Sequence, residues 1–216
     1  MYHTSVSPYY PWLLISALRQ ESSVILEQYR HHREKTPQGY NLFRFQDQEI
    51  LLLEVGSGRK MNRKKVESAI SQINPGLIVN FGICGTLNPR IKLYKNYLAK
   101  SIHYENESEI DLLKDLDLMQ SLSVSRSLFP RVRLLTVKDP VLDSMKSAEL
   151  RRITGCDVVD MEAFFIAQIA HKLEIPVLIL KQVSDDADHK AMQQIKQNKR
   201  IWQESLRQGL IKILNP

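Results

Sequence analysis

One continuous stretch, residues 157–188, constrains the fold most: DVVDMEAFFIAQIAHKLEIPVLILKQVSDDAD. Its first four residues have the composition of a short buried strand. Apolar residues then recur at helical spacing over residues 161–173. Pro176 precedes a second apolar strand at residues 177–180. This pattern predicts a parallel β-α-β crossover within a sheet that helices cover on both faces.

The rest of the chain alternates in a similar way. Apolar runs predict strands at residues 12–18, 40–45, 49–55, 77–81, 97–103 and 132–137. Periodic apolar residues predict helices from the end of the first strand to about residue 31, and at 66–73, 110–122 and 147–153. No repeat, linker or low-complexity stretch interrupts the 216 residues. We therefore expect a single α/β domain that spans residues 1–216.

Charge and cysteine content narrow the class of protein. The formal net charge is +6, and much of the excess lies in residues 59–65 and 196–200, which are typical of solvated helix faces. Aromatic residues are not interleaved with these runs, so we expect no nucleic-acid partner, while weak association with an anionic membrane surface is compatible with the charge. Cys84 and Cys156 form no C-x-x-C motif, and the histidines lack metal-ligand spacing, so we expect no metal and no other cofactor. The N-terminal segment lacks a signal-peptide pattern, which favours a cytoplasmic protein.

Three carboxylates lie where predicted strands end. Glu21, Glu162 and Asp185 each follow a predicted strand closely, and two glycine-rich stretches, GSG at 56–58 and NFGICG at 80–85, fall at further strand ends. Ligands of open α/β sheets bind beyond the carboxyl ends of the strands. Each carboxylate alone could be the cap of the next helix. Their common placement favours an anionic pocket.

These stretches resemble a known family. VVDMEAFFIAQIAHKLEIPVLILKQVSDDAD is similar to the V-[ED]-M-E, helix, strand and [VI]-S-D signature of the purine nucleoside phosphorylase and nucleosidase superfamily. LISALRQE resembles its first strand and glutamate, and VGSGRKMN and LIVNFGICGTLNP resemble its two glycine turns. FGICGTLNP with TGCDVVDME is most like the hopanoid-associated (adenosylhopane) nucleosidase/phosphorylase branch, and next most like methylthioadenosine/S-adenosylhomocysteine nucleosidase. The resemblance implies a three-layer α/β sandwich, whose central mixed, mostly parallel twisted sheet is flanked by helices.

The resemblance also implies a role for each carboxylate in cleaving a purine N-glycosidic bond. Asp185 corresponds to the acid that protonates N7 of the leaving base. Glu162 corresponds to the carboxylate that holds the ribose 2′ and 3′ hydroxyls beside the developing cation, with Met161 packed against the ribose. Glu21 corresponds to the group that activates water. Further substrate contacts are implied at Ile83, Cys84, Gly85, Gly56 and Ser184.

Two positions bear on the nucleophile. In the phosphorylase branch an Arg and a Ser stand where this chain has Asn80 and Ile83, and neither residue can neutralise phosphate. We therefore expect hydrolysis of an adenine nucleoside that is lipid-linked, as in adenosylhopane, or otherwise substituted at the 5′ position. Phosphorolysis stays open because Arg59 or Lys60 could supply the charge. A catalytically lapsed nucleoside-binding protein is the non-enzymatic alternative.

Further expectations concern the base, a cysteine and the assembly. Residues 138–141 lack the Phe that the nucleosidases carry in this interval, so the residue that stacks on the base is not identified. Cys84 is interpreted as a small buried thiol rather than a nucleophile, because no His is its neighbour in sequence. Phe164 and Phe165 are adjacent, so one of them is expected to face away from the sheet. With the family resemblance, this predicts a homodimer.

Overall fold

The computed structural model describes residues 11–46, 48–104, 109–118 and 129–214. Its strands are β1 Trp12–Ser16, β2 His31–Lys35, β3 Asn41–Phe45, β4 Ile50–Glu54, β5 Leu77–Thr86, β6 Asn96–Tyr104, β7 Ile110–Asp111, β8 Arg131–Thr136, β9 Val158–Asp160 and β10 Val177–Asp185. Its helices are α1 Arg19–Leu26, α2 Arg63–Ile73, α3 Leu113–Leu118, α4 Ser144–Thr154, α5 Ala163–Lys172, α6 Ala191–Gln197 and α7 Lys199–Leu214.

All of these strands belong to one mixed sheet. Their order is β10-β6-β8-β9-β5-β1-β4-β3-β2, with β7 on β6, and β10 also pairs with β5. Strands β10, β6, β8, β9 and β5 therefore form a closed ring, from which β1, β4, β3 and β2 extend as an open sheet. Strands β4, β1, β5 and β10 are parallel neighbours, so their carboxyl ends meet at one edge.

The strand directions confirm the mixed sheet and correct the predicted crossover. Among the strands described, antiparallel pairings are as frequent as parallel ones, which is more than a mostly parallel sheet implies. Strand β9 runs antiparallel to β5, where Val159 pairs with Gly85, whereas β10 runs parallel to β5. The prediction that α5 connects two parallel strands is therefore wrong. The sequence of a buried apolar strand does not show whether the strand is parallel or antiparallel to its neighbours, because the residue pattern is the same in both cases.

The bounds of two helices differ from the prediction. Helix α1 ends at Leu26 rather than near residue 31, and the residues that follow include the edge strand β2. The sequence of β2, HHREK, is charged and offers no apolar alternation by which to predict a strand. The predicted helix at 110–122 contains β7 and then α3, and its part beyond residue 118 lies outside the described residues.

Two apolar cores confirm the helix–sheet–helix layering. Helices α2 and α5 pack on one face of the sheet through Ile70 and Ile166. Helices α1 and α7 pack on the other face through Ile25, Trp202 and Leu206. Successive residues of β1 point alternately into the two cores, as expected for a strand covered on both sides. None of the described helices is long and apolar enough to span a membrane.

Phe164 and Phe165 both pack inside the protein, so the expected outward-facing aromatic residue is wrong. Their exposed fractions are 2% and 4%. The guanidinium carbon of Arg63 lies 3.3 Å from the centroid of the Phe165 ring, and the Tyr104 ring stacks on Phe164 at 5.5 Å between centroids. These aromatic residues therefore no longer support the predicted dimer.

Candidate active site

Glu21 lies in the first turn of α1, and its carboxylate contacts both the segment that follows β1 and the strand β5. Oε2 accepts hydrogen bonds from the backbone N–H groups of Ala17 and Leu18 at 3.2 and 2.8 Å. Oε1 accepts a hydrogen bond from the backbone N–H of Ile83 in β5 at 2.9 Å. The first two bonds cap α1, so Glu21 also has the capping role that is the alternative explanation for each carboxylate. The third fixes the same carboxylate against the neighbouring strand.

Two glycines of NFGICG allow carboxylates to approach β5 closely. The predicted turn at residues 80–85 is wrong, because β5 continues through it. A Cβ on Gly82 would lie 2.5 Å from Glu21 Oε1, and one on Gly85 would lie 2.9 Å from Asp185 Oδ1. Glycine is required here for close approach rather than for a positive φ. Because the two glycines are three residues apart, the carboxylates contact β5 at points about 10 Å apart.

Asp185 is the last residue of β10, and its carboxyl group is largely buried. Oδ1 accepts a hydrogen bond from the N–H of Ala187 at 2.9 Å, and the hydroxyl of Ser184 donates to Oδ2 at 2.7 Å. Burial raises the pKa of Asp185, although both hydrogen bonds act in the opposite direction. A buried carboxyl group with a raised pKa is suited to hold the proton that a general acid donates.

The other acidic residues of this segment bind the next helix. Asp188 Oδ1 accepts a hydrogen bond from the backbone N–H of Lys190 at 2.8 Å, just before α6. Asp186 is exposed and accepts a hydrogen bond from Nε2 of Gln194 at 2.6 Å. Both side chains therefore contact the start of the next segment.

Lys181 is a residue of the site that the sequence analysis missed. It is fully buried in β10 and pairs with Gly82 of β5. Its Nζ lies 2.5 Å from Glu162 Oε1 and 2.9 Å from Asp160 Oδ2. A lysine inside the apolar run VLILKQV is the signal that could have found it, because a buried ammonium group needs a carboxylate partner.

Glu21, Asp160, Glu162 and Lys181 form what we call the buried charge cluster. Burial opposes the charge of Lys181, but the three carboxylates outweigh burial and raise the pKa of Lys181. Burial is the largest cause that raises the pKa of Glu162 to about 8, against the attraction of Lys181. Burial raises the pKa of Glu21 as well. Because one ammonium group cannot balance three carboxylates, the cluster retains a proton near neutral pH.

The GSG turn brings a further backbone segment against Met161. Gly56 and Gly58 have φ values of +79° and +52°, in the left-handed region that favours glycine. The N–H of Gly58 donates to the carbonyl oxygen of Met161 at 3.1 Å. A Cβ on Gly58 would lie 2.6 Å from Met161 Cε and 2.9 Å from the carbonyl oxygen of Lys138. The absence of a side chain at Gly58 therefore lets the loop after β8 and Met161, which precedes Glu162, lie close to each other.

The remaining predicted contact residues lie on β5 and β10. The N–H of Ile83 is occupied by Glu21, and its half-buried side chain packs against the core that contains Trp202 and Leu206. Cys84 is 3% exposed and burial raises its pKa well above the usual value, which confirms it as a buried thiol. The hydroxyl of Ser184 lies 3.3 Å from the carbonyl oxygen of Cys84 as well as beside Asp185. Their assignment as substrate contacts stays a prediction.

Known proteins resemble this chain over nearly its whole length. The family model described as the phosphorylase superfamily matches residues 12–215. The aminodeoxyfutalosine nucleosidase of Campylobacter jejuni is 23% identical over 198 residues, which cover 82% of this chain and 86% of that protein. A 5′-methylthioadenosine/S-adenosylhomocysteine nucleosidase of Buchnera aphidicola is 22% identical over 210 residues, with 86% and 89% covered.

Solved structures show the same fold. The S-adenosylhomocysteine nucleosidase of Streptococcus pyogenes, in complex with 5-methylthiotubericidin, has a TM-score of 0.82 at 17% identity, with 96% and 97% of the two chains covered. A mutant of the futalosine hydrolase of Helicobacter pylori has a TM-score of 0.80 at 16% identity, with 95% and 99% covered. The match to the family model includes the ring of strands, the open sheet and all three predicted carboxylates. The chain therefore belongs to the phosphorylase superfamily.

Proposed function

We propose that the protein hydrolyses the N-glycosidic bond of an adenine nucleoside that is substituted at the 5′ position. Membership of the superfamily makes the chain a glycosidic-bond-cleaving enzyme, and the relatives compared above are named as nucleosidases. The observation that carries the proposal is the position of two buried carboxyl groups at the edge of the sheet where the parallel strands β1, β5 and β10 end. Glu21 contacts β5 at Gly82 and Asp185 contacts it at Gly85, about 10 Å apart. A nucleoside between them would present its anomeric carbon to one and its base to the other.

Asp185 is the proposed general acid. Burial raises its pKa, so the carboxyl group holds a proton at a higher pH than an exposed aspartate does. As the bond between C1 and N9 breaks, its electron pair passes to the base, and Asp185 donates its proton to N7. The base then leaves as a neutral molecule, which lowers the barrier to its departure.

Glu162 is the proposed ribose-binding residue. Its Oε1 is held by the ammonium group of Lys181 at 2.5 Å, and we assign Oε2 to the ribose 2′ and 3′ hydroxyls. Met161, whose carbonyl oxygen is tied to Gly58, packs against the sugar in this assignment. A carboxyl group placed here orients the ribose and, when it is ionised, stabilises the positive charge that develops on the sugar.

Glu21 is the proposed general base. Three backbone N–H groups fix its carboxylate, so it needs little reorganisation to bind a water molecule. Burial raises its pKa, which makes it a better proton acceptor than an exposed glutamate, while Lys181 lowers the pKa in part and favours the ionised form. The water oxygen forms a bond to C1, and the proton it loses passes to Glu21.

The charges of the site favour water over phosphate. Asn80 is fully buried, and its Nδ2 donates to the carbonyl oxygen of Ile15 at 3.1 Å. The N–H of Ile83 is occupied by Glu21, and the charge of Lys181 is already shared between two carboxylates. A phosphate dianion beside the anomeric carbon would therefore meet the negative charge of the buried charge cluster. A neutral water molecule meets no such repulsion.

Base release is accordingly expected to be independent of phosphate. Adenosine, 5′-methylthioadenosine, S-adenosylhomocysteine and adenosylhopane are each incubated in phosphate buffer and in phosphate-free buffer of equal ionic strength, and free adenine is measured. We expect equal rates in the two buffers and a sugar with a free hydroxyl at C1. Turnover that needs phosphate and accumulates a ribose 1-phosphate would establish phosphorolysis instead. Nucleoside binding without base release in either buffer would indicate a lapsed enzyme.

The same assay addresses the 5′ substituent. The names of the relatives support 5′-methylthioadenosine or S-adenosylhomocysteine, and the motifs FGICGTLNP and TGCDVVDME support adenosylhopane. An open cleft of about 630 Å³ between the loop after β8 and α4 also supports a lipid-linked substrate. Val137, Leu142 and Ile153 line this cleft, and Val137 belongs to the same apolar cluster as Met161. Weak association with anionic liposomes at low salt, through Lys138 and Lys146 in the lining of the cleft, is expected only for this candidate.

A homodimer is also proposed, on the family resemblance. Exposed apolar side chains support it, because Met192 on α6 and Ile201 on α7 are 61% and 52% exposed in the single chain and would be removed from water by a partner. Analytical ultracentrifugation at micromolar concentration is expected to give the mass of two chains. A monomer under these conditions would contradict the proposal.

A further inference from the structure

Asp160 is a buried carboxylate that none of the proposed catalytic steps uses. Its exposed fraction is 5%. Oδ1 accepts a hydrogen bond from the hydroxyl of Thr136 at 2.6 Å. Oδ2 lies 2.9 Å from the ammonium nitrogen of Lys181 and accepts a hydrogen bond from the N–H of Ala163 at 3.0 Å. Because protein groups engage both oxygens, Asp160 acts on the reaction through its contact with Lys181 and through its charge beside Glu162.

Lys181 would have competing partners without Asp160. Its ammonium group contacts Glu162 and also lies close enough to Glu21 to lower the pKa of that carboxyl group. The lysine side chain is flexible, and attraction between charges acts in all directions. If the ammonium group moved towards Glu21, it would pair with the proposed base and release the ribose-binding carboxyl group. Asp160, at the end of β9, holds the ammonium group in place.

Thr136 fixes Asp160 in turn. The Thr136 hydroxyl donates to Asp160 and accepts a hydrogen bond from the N–H of Phe164 at 3.0 Å. Strands β8 and β9 and the first turn of α5 are thereby joined around one carboxylate. A residue that only capped α5 would need the contact with Ala163 alone. The contact with Lys181 is additional, and it acts on Glu162, which directly precedes α5.

We propose that Asp160 is a positioning residue that, together with Thr136, holds the Lys181 ammonium group on Glu162 and away from Glu21. The ribose-binding carboxyl group and the general base thereby keep separate charge states. This inference rests on the proposed function for its effect on catalysis. Its electrostatic part concerns the empty protein and stands independently.

The charges around Glu162 give the inference a measurable sign. Glu162 faces Lys181 from β10, Asp160 from β9, Glu21 from α1 and the thiol of Cys84 from β5. Asp160 is one of the groups that raise the pKa of Glu162 to about 8. Removal of the Asp160 charge alone would lower the pKa of Glu162. Movement of the Lys181 ammonium group from Glu162 towards Glu21 removes the stronger influence of a positive charge, so the inference predicts that the pKa of Glu162 rises.

Asp160→Asn tests the inference with two measurements on the full chain. Carboxyl ¹³C NMR of the empty protein, with Glu162→Gln to assign the signal, is expected to show the Glu162 titration moved up by about one pH unit or more. For 5′-methylthioadenosine, kcat/KM is expected to fall about 10²-fold, and its pH profile to move in the same direction. A titration that is unchanged or moves down would overturn the inference, because Lys181 would then stay on Glu162 without Asp160.

Variants of Thr136 separate the effect of the position of Lys181 from the effect of the charge of Asp160. Thr136→Val removes the hydroxyl but keeps the charge of Asp160, so a shift of the Glu162 titration in this variant reports the position of Lys181 alone. We expect an upward shift smaller than that of Asp160→Asn and a fall of about 10-fold in kcat/KM. Thr136→Ser restores the hydroxyl and should restore kcat/KM. Equal values for the two variants would overturn the positioning role.

Asp157→Asn is the matched control on the same segment. Asp157 binds Asn88 and the N–H of Arg133 at 2.8 and 3.1 Å, outside the buried charge cluster. Neither the Glu162 titration nor kcat/KM is expected to move, and a shift equal to that of Asp160→Asn would overturn the inference. If the titration moves in Asp160→Asn but the unsubstituted protein releases no adenine from any nucleoside, the electrostatic inference stands and the proposed function fails.

Discussion

Replacement of Asp185 by Asn is expected to slow adenine release by about 10²–10⁴-fold, the range that a positioned acid contributes. The amide keeps the shape of the carboxyl group and can still accept the hydrogen bond from the N–H of Ala187, which is 2.9 Å long in the unsubstituted protein. It cannot transfer a proton to N7, so the base must leave with its negative charge. The rate is measured as free adenine in single turnover, with circular dichroism as the check on folding.

The neighbouring aspartate provides the control for this substitution. Asp186 is exposed and binds Gln194, so Asp186→Asn is expected to release adenine at close to the unsubstituted rate. Because burial raises the pKa of Asp185, the unsubstituted enzyme should lose activity as the pH rises past that pKa, and Asp185→Asn should lack this limb of the profile. Turnover by Asp185→Asn at close to the unsubstituted rate would refute its assignment as the acid.

The three carboxylates could be located from the sequence because each follows an apolar run. For Glu21 and Asp185 the reasoning is borne out in detail, since both contact β5 at the edge where parallel strands end. Glu162 lies near the same edge of the sheet, but it follows a strand that runs in the opposite direction. Strand β9 arrives from the opposite direction, and Lys181 links Glu162 to β10. Glu162 thus lies near the other two carboxylates although the predicted direction of β9 is wrong.

The glycines and Lys181 show why the rest could not be predicted. In sequence, a strand glycine that allows a carboxylate to approach cannot be distinguished from a glycine in a turn. NFGICG therefore predicts a turn. The need for glycine at positions 82 and 85 becomes apparent only in the folded structure, where Glu21 and Asp185 approach these positions closely. Lys181 likewise depends on carboxylates that are about 20 residues away in sequence, which periodicity within one element cannot reveal.

Lys181→Met is expected to destabilise the fold by about 3–5 kcal/mol at neutral pH, because it leaves buried carboxylates without their cation. Methionine has a similar length and fills the space among apolar neighbours, so a cavity contributes little. The cost arises from Asp160 and Glu162, whose contacts with the ammonium nitrogen are 2.9 and 2.5 Å in the unsubstituted protein. Chemical denaturation at several pH values measures the free energy of unfolding of both proteins.

The pH dependence of this loss has a definite sign. Without Lys181, the pKa of Glu162 in the folded state rises further above that of the unfolded chain, so the folded state binds protons more tightly. Stability of the variant should therefore be highest at acid pH and decline as the pH rises from the ordinary carboxyl pKa, 4.5 for Glu162, through the raised value. Lys172→Met is the control, because its lysine is exposed and pairs with Glu67, and we expect a change within about 0.5 kcal/mol. A loss for Lys181→Met that is the same at pH 5 and pH 8 would mean that uncompensated carboxylates are not its cause.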